Sequence, residues 1–135
     1  MQIIDSQVHS YAANTPDRPW HAVPNWPDHV TGDEMVAAME AVGVDGAIFI
    51  SAFSMYQYDA SYAVEVQKAH PERFALVKPV NPADPAVADI IADWKKTPGT
   101  VGIRIMMTAE SGLAPDDAGL DLIMREAVRH DVPVN

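Results

Sequence analysis

The sequence predicts an α/β protein built on a parallel sheet, and two observations carry that reading. Short apolar runs alternate with amphipathic helical stretches along the chain, the β-α-β pattern whose right-handed crossovers leave successive strands parallel. One run, Ala47-Ile48-Phe49-Ile50, is apolar without interruption, as expected of a strand covered on both faces.

Ile3–Asp5 opens the first strand. Thr31-Gly32-Asp33-Glu34 then reads as a capping box, in which the Thr31 side chain and Glu34 satisfy each other's orphan backbone donors. The helix behind it places Met35, Val36, Met39 and Val42 on one face and stops at Gly43. After the AIFI strand, a second helix runs from about Asp59 to His70, with Tyr62, Ala63, Val66 and Ala69 inward and Pro71 closing it. Phe74–Val77 is the third strand. A third helix is capped by Asp84, has Pro85 at its first position and buries Val87, Ile90, Ile91 and Trp94. Lys95 and Lys96 complement the negative end of its dipole, before Pro98-Gly99 ends it. Val101–Ile105 is the fourth strand. A fourth helix runs from about Asp117 to His130 with Leu120, Ile123, Met124 and Ala127 inward, and Val132–Asn135 begins a fifth strand.

Two architectures compete for this pattern. A doubly wound sandwich needs a glycine-rich phosphate turn after its first strand, and SQVHSYAANTP is not one. A (β/α)8 barrel needs about 250 residues. The 135 residues are therefore read as one domain, the N-terminal half of a TIM barrel: about four βα units and the start of the fifth strand. As a half barrel, the chain is expected to leave inner-face residues of AIFI and FALV exposed, and to self-associate or join a missing C-terminal half.

Composition narrows the function classes. A formal charge of -10 without a basic stripe disfavours nucleic acid and anionic membrane. The absence of cysteine excludes disulfide frameworks and thiolate metal sites. No apolar run approaches the roughly 20 residues that span a bilayer, and MQIID has no signal-peptide character, so a cytoplasmic location is the default expectation. No P-loop, EF-hand or G-x-S-x-G elbow occurs.

The chemistry concentrates at the end of the first strand, IIDSQVHSY. Strand alternation puts Asp5, Gln7 and His9 on one face, either as the floor of a site or as the polar side of an edge strand. With FALVKPVNP, GTVGIRIM and DLIMREAVRHDVPVN, this stretch resembles the amidohydrolase-related family of (β/α)8-barrel hydrolases, which includes lactonases of aromatic-acid breakdown and some decarboxylases. The resemblance implies hydrolysis of a small carboxylated lactone, ester or amide by the full-length enzyme, the half barrel alone being expected to be inactive; the alternatives are decarboxylation on the same barrel, or a non-catalytic half barrel that associates with a partner. The family's first strand ends D-x-H-x-H, and both histidines hold a divalent metal such as zinc or manganese. Here His9 matches the second ligand and Gln7, a neutral and weaker donor, replaces the first. The family's remaining ligands lie on its fifth, sixth and eighth strands. Some similar lactonases work without metal, so the resemblance leaves His9 as a metal ligand or as the group that polarises the scissile carbonyl.

Other residues fit a small-molecule carboxylate as partner. Arg104 shares a face with Gly102 and Met106, where it either binds a substrate carboxylate or pairs internally with an acid such as Asp5. The connection from Ser10 to Val30, with Pro16, Pro19, Pro24 and Pro27, is long enough for a binding loop over a barrel mouth. Trp20 and Trp26 give it aromatic faces, as substrate contacts or as packing anchors. Ser51, Ser54, Tyr56 and Tyr58, after the second strand, are further mouth candidates, Tyr56 among them as a substrate contact. His21, His29, His70 and His130 read as ordinary loop or helix-end histidines.

Overall fold

In the computed structural model, residues 1–22 and 25–135 are described; Pro24 of the long loop lies outside them. The element order is β1 (Ile4–Val8), α1 (Gly32–Ala41), β2 (Gly46–Ile50), α2 (Phe53–Tyr56), α3 (Ser61–Ala69), β3 (Phe74–Pro79), α4 (Val87–Lys95), β4 (Thr100–Arg104), a 3-10 turn (Ala109–Ser111) and α5 (Ala118–Arg129). The strands form one parallel sheet in the order β1-β2-β3-β4. Beyond α5 the chain returns beside β4: Ile103 N–H donates to Pro133 O at 2.9 Å and Asn135 N–H to Ile103 O at 2.9 Å, the beginning of the expected fifth strand. Among the described residues no helix is long and apolar enough to cross a membrane.

Local chemistry sets the helix ends. Thr31 Oγ1 accepts the Glu34 amide at 3.3 Å while Glu34 Oε2 accepts the Thr31 amide at 2.7 Å, so the capping box is closed. Gly43, just past the α1 cap, takes the left-handed conformation (φ +74°) that a side chain would strain. Asp117 Oδ1 caps α5 through the amides of Gly119 and Leu120. Asp84 does not cap α4. Its carboxylate takes the Ala86 amide at 2.8 Å inside a turn that starts at Asn81, so the helix begins at Val87, beyond Pro85.

The core lies between sheet and helices. Ala47, Phe49, Phe74, Leu76 and Ile103 face Val87, Ile91, Trp94, Leu120, Ile123 and Ala127. Phe49, Leu76, Ile91, Ile103 and Ile123 are fully buried, each contributing about 1.5–3 kcal/mol of apolar burial. The Trp94 indole satisfies its N–H on Gly102 O at 2.9 Å. Lys78 rests on the Trp94 ring from the same side of the sheet, and burial pushes its pKa down. Three expected inward residues are exposed instead: Val42 is the cap residue beyond the end of α1, Ala69 is the last residue of α3, and Met124 lies outside the stripe of Leu120, Ile123 and Ala127 that α5 buries.

The opposite face of the sheet is less open than expected. Ile50, Val77, Pro79 and Gly102 are buried and only Ile48 and Ala75 are half-exposed. Neighbours in register cover one another: Ile50 pairs with Val77 and Val77 with Gly102. The larger apolar exposure falls at the unpaired edge of β1, where Ile3 and Ile4 are about half exposed.

Candidate functional site

At the C-terminal ends of the strands, His9, Trp26, Ala52, Phe53, Ser54, Arg104 and Met106 enclose a recess of about 150 Å³. Each wall has its own origin. His9 follows β1 directly and Arg104 is the last residue of β4, opposite Pro79 of β3. Ala52–Ser54 form the start of α2, a single turn that carries the chain from β2 across the mouth.

His9 is fixed from two sides. Its Nδ1 lies 2.8 Å from the Ile50 carbonyl oxygen, which can only accept, so Nδ1 carries the proton. In the neutral ring Nε2 is then a lone-pair acceptor, and the Gln7 Nε2–H group donates to it at 3.1 Å. Asp5 does not join this pair. Asp5 is in register with Ala47 and Val8 with Phe49, three steps on β1 against two on β2, so a bulge breaks the strict alternation that would stack all three polar side chains on one face. The Asp5 carboxylate instead turns back to accept the Gln7 amide at 2.9 Å.

Arg104 is half-buried, and among the described residues its guanidinium has neither an ion pair nor a hydrogen bond. The internal pair with Asp5 is not formed. A guanidinium held in a partly dry recess without a counter-charge keeps its five donors for an anion.

The long loop divides the aromatic residues by role. Trp20 packs edge-on against Tyr11 at 5.5 Å and donates its indole N–H to Ala12 O at 3.0 Å. Tyr56 is buried, its hydroxyl accepting the Ala12 amide at 2.9 Å, and burial raises its pKa. Both therefore anchor the loop and neither lines the recess. Further ties come from His21 N–H to Met55 O and Arg18 to Glu65. Trp26 is 49% exposed and does line the recess. The other histidines face elsewhere: His29 meets Glu34, His70 meets Asp33 and His130 meets Glu126. Ser54, expected at the mouth with Tyr56, does line the recess; Phe53 and Met106 are additions of the structure, although Met106, two residues beyond Arg104, carries a signal through strand parity.

The metal-binding motif is incomplete in this chain. His9 has the backbone-carbonyl partner on Nδ1 that orients metal-ligating histidines. Its Nε2, the atom that would ligate, is engaged by Gln7, and among the described residues no three His, Asp or Glu side chains converge. The donors present do not fit a resident divalent ion.

A family model described as Amidohydrolase matches residues 4–135. No curated protein matches the chain. Among solved structures it is similar to a probable 2-pyrone-4,6-dicarboxylic acid hydrolase from Acinetobacter baumannii with citric acid bound (15% identity, TM-score 0.72), covering 99% of this chain and 48% of that one. It is also similar to a 5-carboxyvanillate decarboxylase from Novosphingobium aromaticivorans complexed with manganese and 4-hydroxy-3-methoxy-5-nitrobenzoic acid (19% identity, TM-score 0.71), covering 98% and 49%. A 5-carboxyvanillate decarboxylase from Sphingomonas paucimobilis matches at 16% identity and TM-score 0.68, over 98% and 50%. The chain thus spans about half the length of these structures, and the likeness is one of fold.

Proposed function

The chain belongs to the amidohydrolase family, and from that premise we propose that it supplies the carboxylate-binding half of the mouth of a hydrolase acting on a small carboxylated lactone, ester or amide. The observation that carries this reading is the Arg104 guanidinium, without an ion pair or hydrogen bond among the described residues, in the same recess as His9. Arg104 anchors the substrate carboxylate through charge-assisted hydrogen bonds. Trp26 covers the ring or chain of the bound molecule and excludes water. His9, one wall of the recess, accepts a proton on its Nε2 lone pair as water adds to the scissile carbonyl, once the substrate or water displaces Gln7.

Hydrolysis is preferred to decarboxylation for a reason of proton direction. A neutral His9 takes a proton, whereas losing carbon dioxide from a carboxylate requires one to be delivered to carbon. Both chemistries begin with a bound carboxylate, which is what citrate and the nitrobenzoate are in the similar structures. The other half of such a barrel comes either from further βα units or from a second copy of the chain, in line with the open β1 edge.

Calorimetric titration of the chain with citrate and with 4-hydroxy-3-methoxy-5-nitrobenzoate tests the anchor, using the corresponding neutral esters as controls. Saturable one-site binding of the acids but not the esters supports the reading. Equal binding of both would remove the carboxylate from it.

A further inference from the structure

The Gln7–His9 contact has a consequence for what the mouth can hold. We propose that Gln7 keeps divalent cations off His9 and holds its ring as a neutral hydrogen-bond acceptor, so that this wall of the mouth engages a ligand through a hydroxyl, an acid O–H or a water rather than through a metal. The inference deepens the reading of His9 given above and rests on it for the ligand, but its test needs no substrate.

The geometry carries the argument. A metal-ligating imidazole offers one nitrogen to the ion and uses the other to donate to a carbonyl or carboxylate. His9 has the second half of that arrangement, Nδ1–H to Ile50 O at 2.8 Å. The first half is closed by an N–H donor 3.1 Å from Nε2, where a cation would have to sit. To admit the cation, Gln7 must turn its amide over and offer Oε1, trading a hydrogen bond for a neutral oxygen donor, which borderline metals such as zinc bind less well than imidazole. Asp5 does not add a second strong ligand, because the bulge in β1 and its own bond to the Gln7 amide take its carboxylate out of alignment. A ligand hydroxyl or a water can take the place of the Gln7 N–H as donor to Nε2, since Gln7 is exposed, whereas a cation would find beside His9 only a neutral amide oxygen as its second donor.

The tautomer is itself diagnostic, because a histidine side chain in water favours the proton on Nε2 and this one is held with it on Nδ1. The experiment is long-range proton–nitrogen NMR on the full chain, with His9 assigned by its loss in His9→Asn. Wild-type protein should show a pyrrole-type Nδ1 and a pyridine-type Nε2, and zinc alone, added to a few equivalents, should leave both ring nitrogens in place. Gln7→Ala should leave the proton on Nδ1, where the Ile50 carbonyl holds it, and shift the Nε2 signal to that of a pyridine-type nitrogen freed of its donor. Gln7→His, which restores the paired imidazoles, should raise zinc affinity at this site by on the order of tenfold or more, read from the same resonances. A wild-type His9 with its proton on Nε2, or one whose Nε2 signal moves saturably with one equivalent of zinc and no longer does so in Gln7→Ala, would overturn the proposal. Failure of this test leaves carboxylate binding by Arg104 intact, and failure of the carboxylate titration leaves the tautomer intact.

Discussion

Replacing Arg104 by methionine removes the charge while keeping an unbranched stem of similar length. Because Arg104 has no ion pair or hydrogen bond among the described residues, no internal partner is orphaned by the change. A half-buried charge that lacks a partner also costs desolvation, so its removal does not weaken the fold. The melting temperature of Arg104→Met should therefore stay within roughly 2 °C of wild type or rise slightly. Ligand binding should move the other way. A hydrogen bond to a charged group contributes about 1.5–3 kcal/mol, so affinity for citrate or the nitrobenzoate should fall by roughly ten- to a hundredfold. Titration calorimetry and a thermal melt on the same samples decide between the alternatives. Unchanged affinity together with a clear loss of stability would show that Arg104 is an internal counter-ion and that the recess is not an anion site.

Trp20 and Trp26 should separate by assay. Trp20→Ala breaks the bond to Ala12 O and the edge contact with Tyr11, and should cost about 2 kcal/mol in denaturant unfolding; Trp26→Leu should leave stability nearly unchanged but weaken the aromatic acid more than citrate, by about 1 kcal/mol. Gly119→Ala, although alanine is the better helix former, should destabilise by about 1–3 kcal/mol, because its Cβ would meet the Pro82 carbonyl oxygen at the start of α5; a variant as stable as wild type would mean that the loop before α4 yields at little cost. The Thr31 amide, and after it the bond from His29, holds the Glu34 carboxyl below the ordinary carboxylate range. Its folded pKa being the lower one, Glu34 contributes stability above the unfolded value and loses it as pH falls through the depressed value. The stability gap between wild type and Glu34→Gln, read by denaturation at a series of pH values, should accordingly be present at neutral pH and close under acid.

How much of this was legible beforehand follows from what sets each feature. The alternation of apolar runs with capped helices gave the parallel sheet, and chain-local signals such as the Thr31–Glu34 box, Gly43 and Asp117 fell where their residue types place them. Features that depend on neighbours did not. The bulge in β1 arises from pairing with β2, and parity along IDSQVH has no means of registering it, so parity alone groups Asp5 with Gln7 and His9. The turn from Asn81 to Ala86 absorbed a residue that reads as a helix cap. For the site, His9, Arg104 and Trp26 were legible, the first two from strand-end position and Trp26 from its place in a long loop, and the structure brings them to one recess. Tyr56 and Trp20 looked equivalent to Trp26 in sequence; hydrogen bonds to Ala12, forty-four and eight residues away, turn them into anchors. The short helix α2 has too few residues to show a period, so Ser54 is legible only from its place after the second strand and Phe53 carries no signal at all.

The central claim is that the strand ends form an anion-binding mouth around Arg104 and His9. Chemical-shift mapping of the full chain titrated with citrate tests it most directly. Saturable changes should be confined to His9, Trp26, Ala52–Ser54, Arg104 and Met106, with the Arg104 side-chain signals moving most. Changes centred instead on Arg73, whose guanidinium already holds Glu40 and the carbonyls of Val44 and Asp45, would contradict the claim, as would a spectrum unaltered at millimolar citrate.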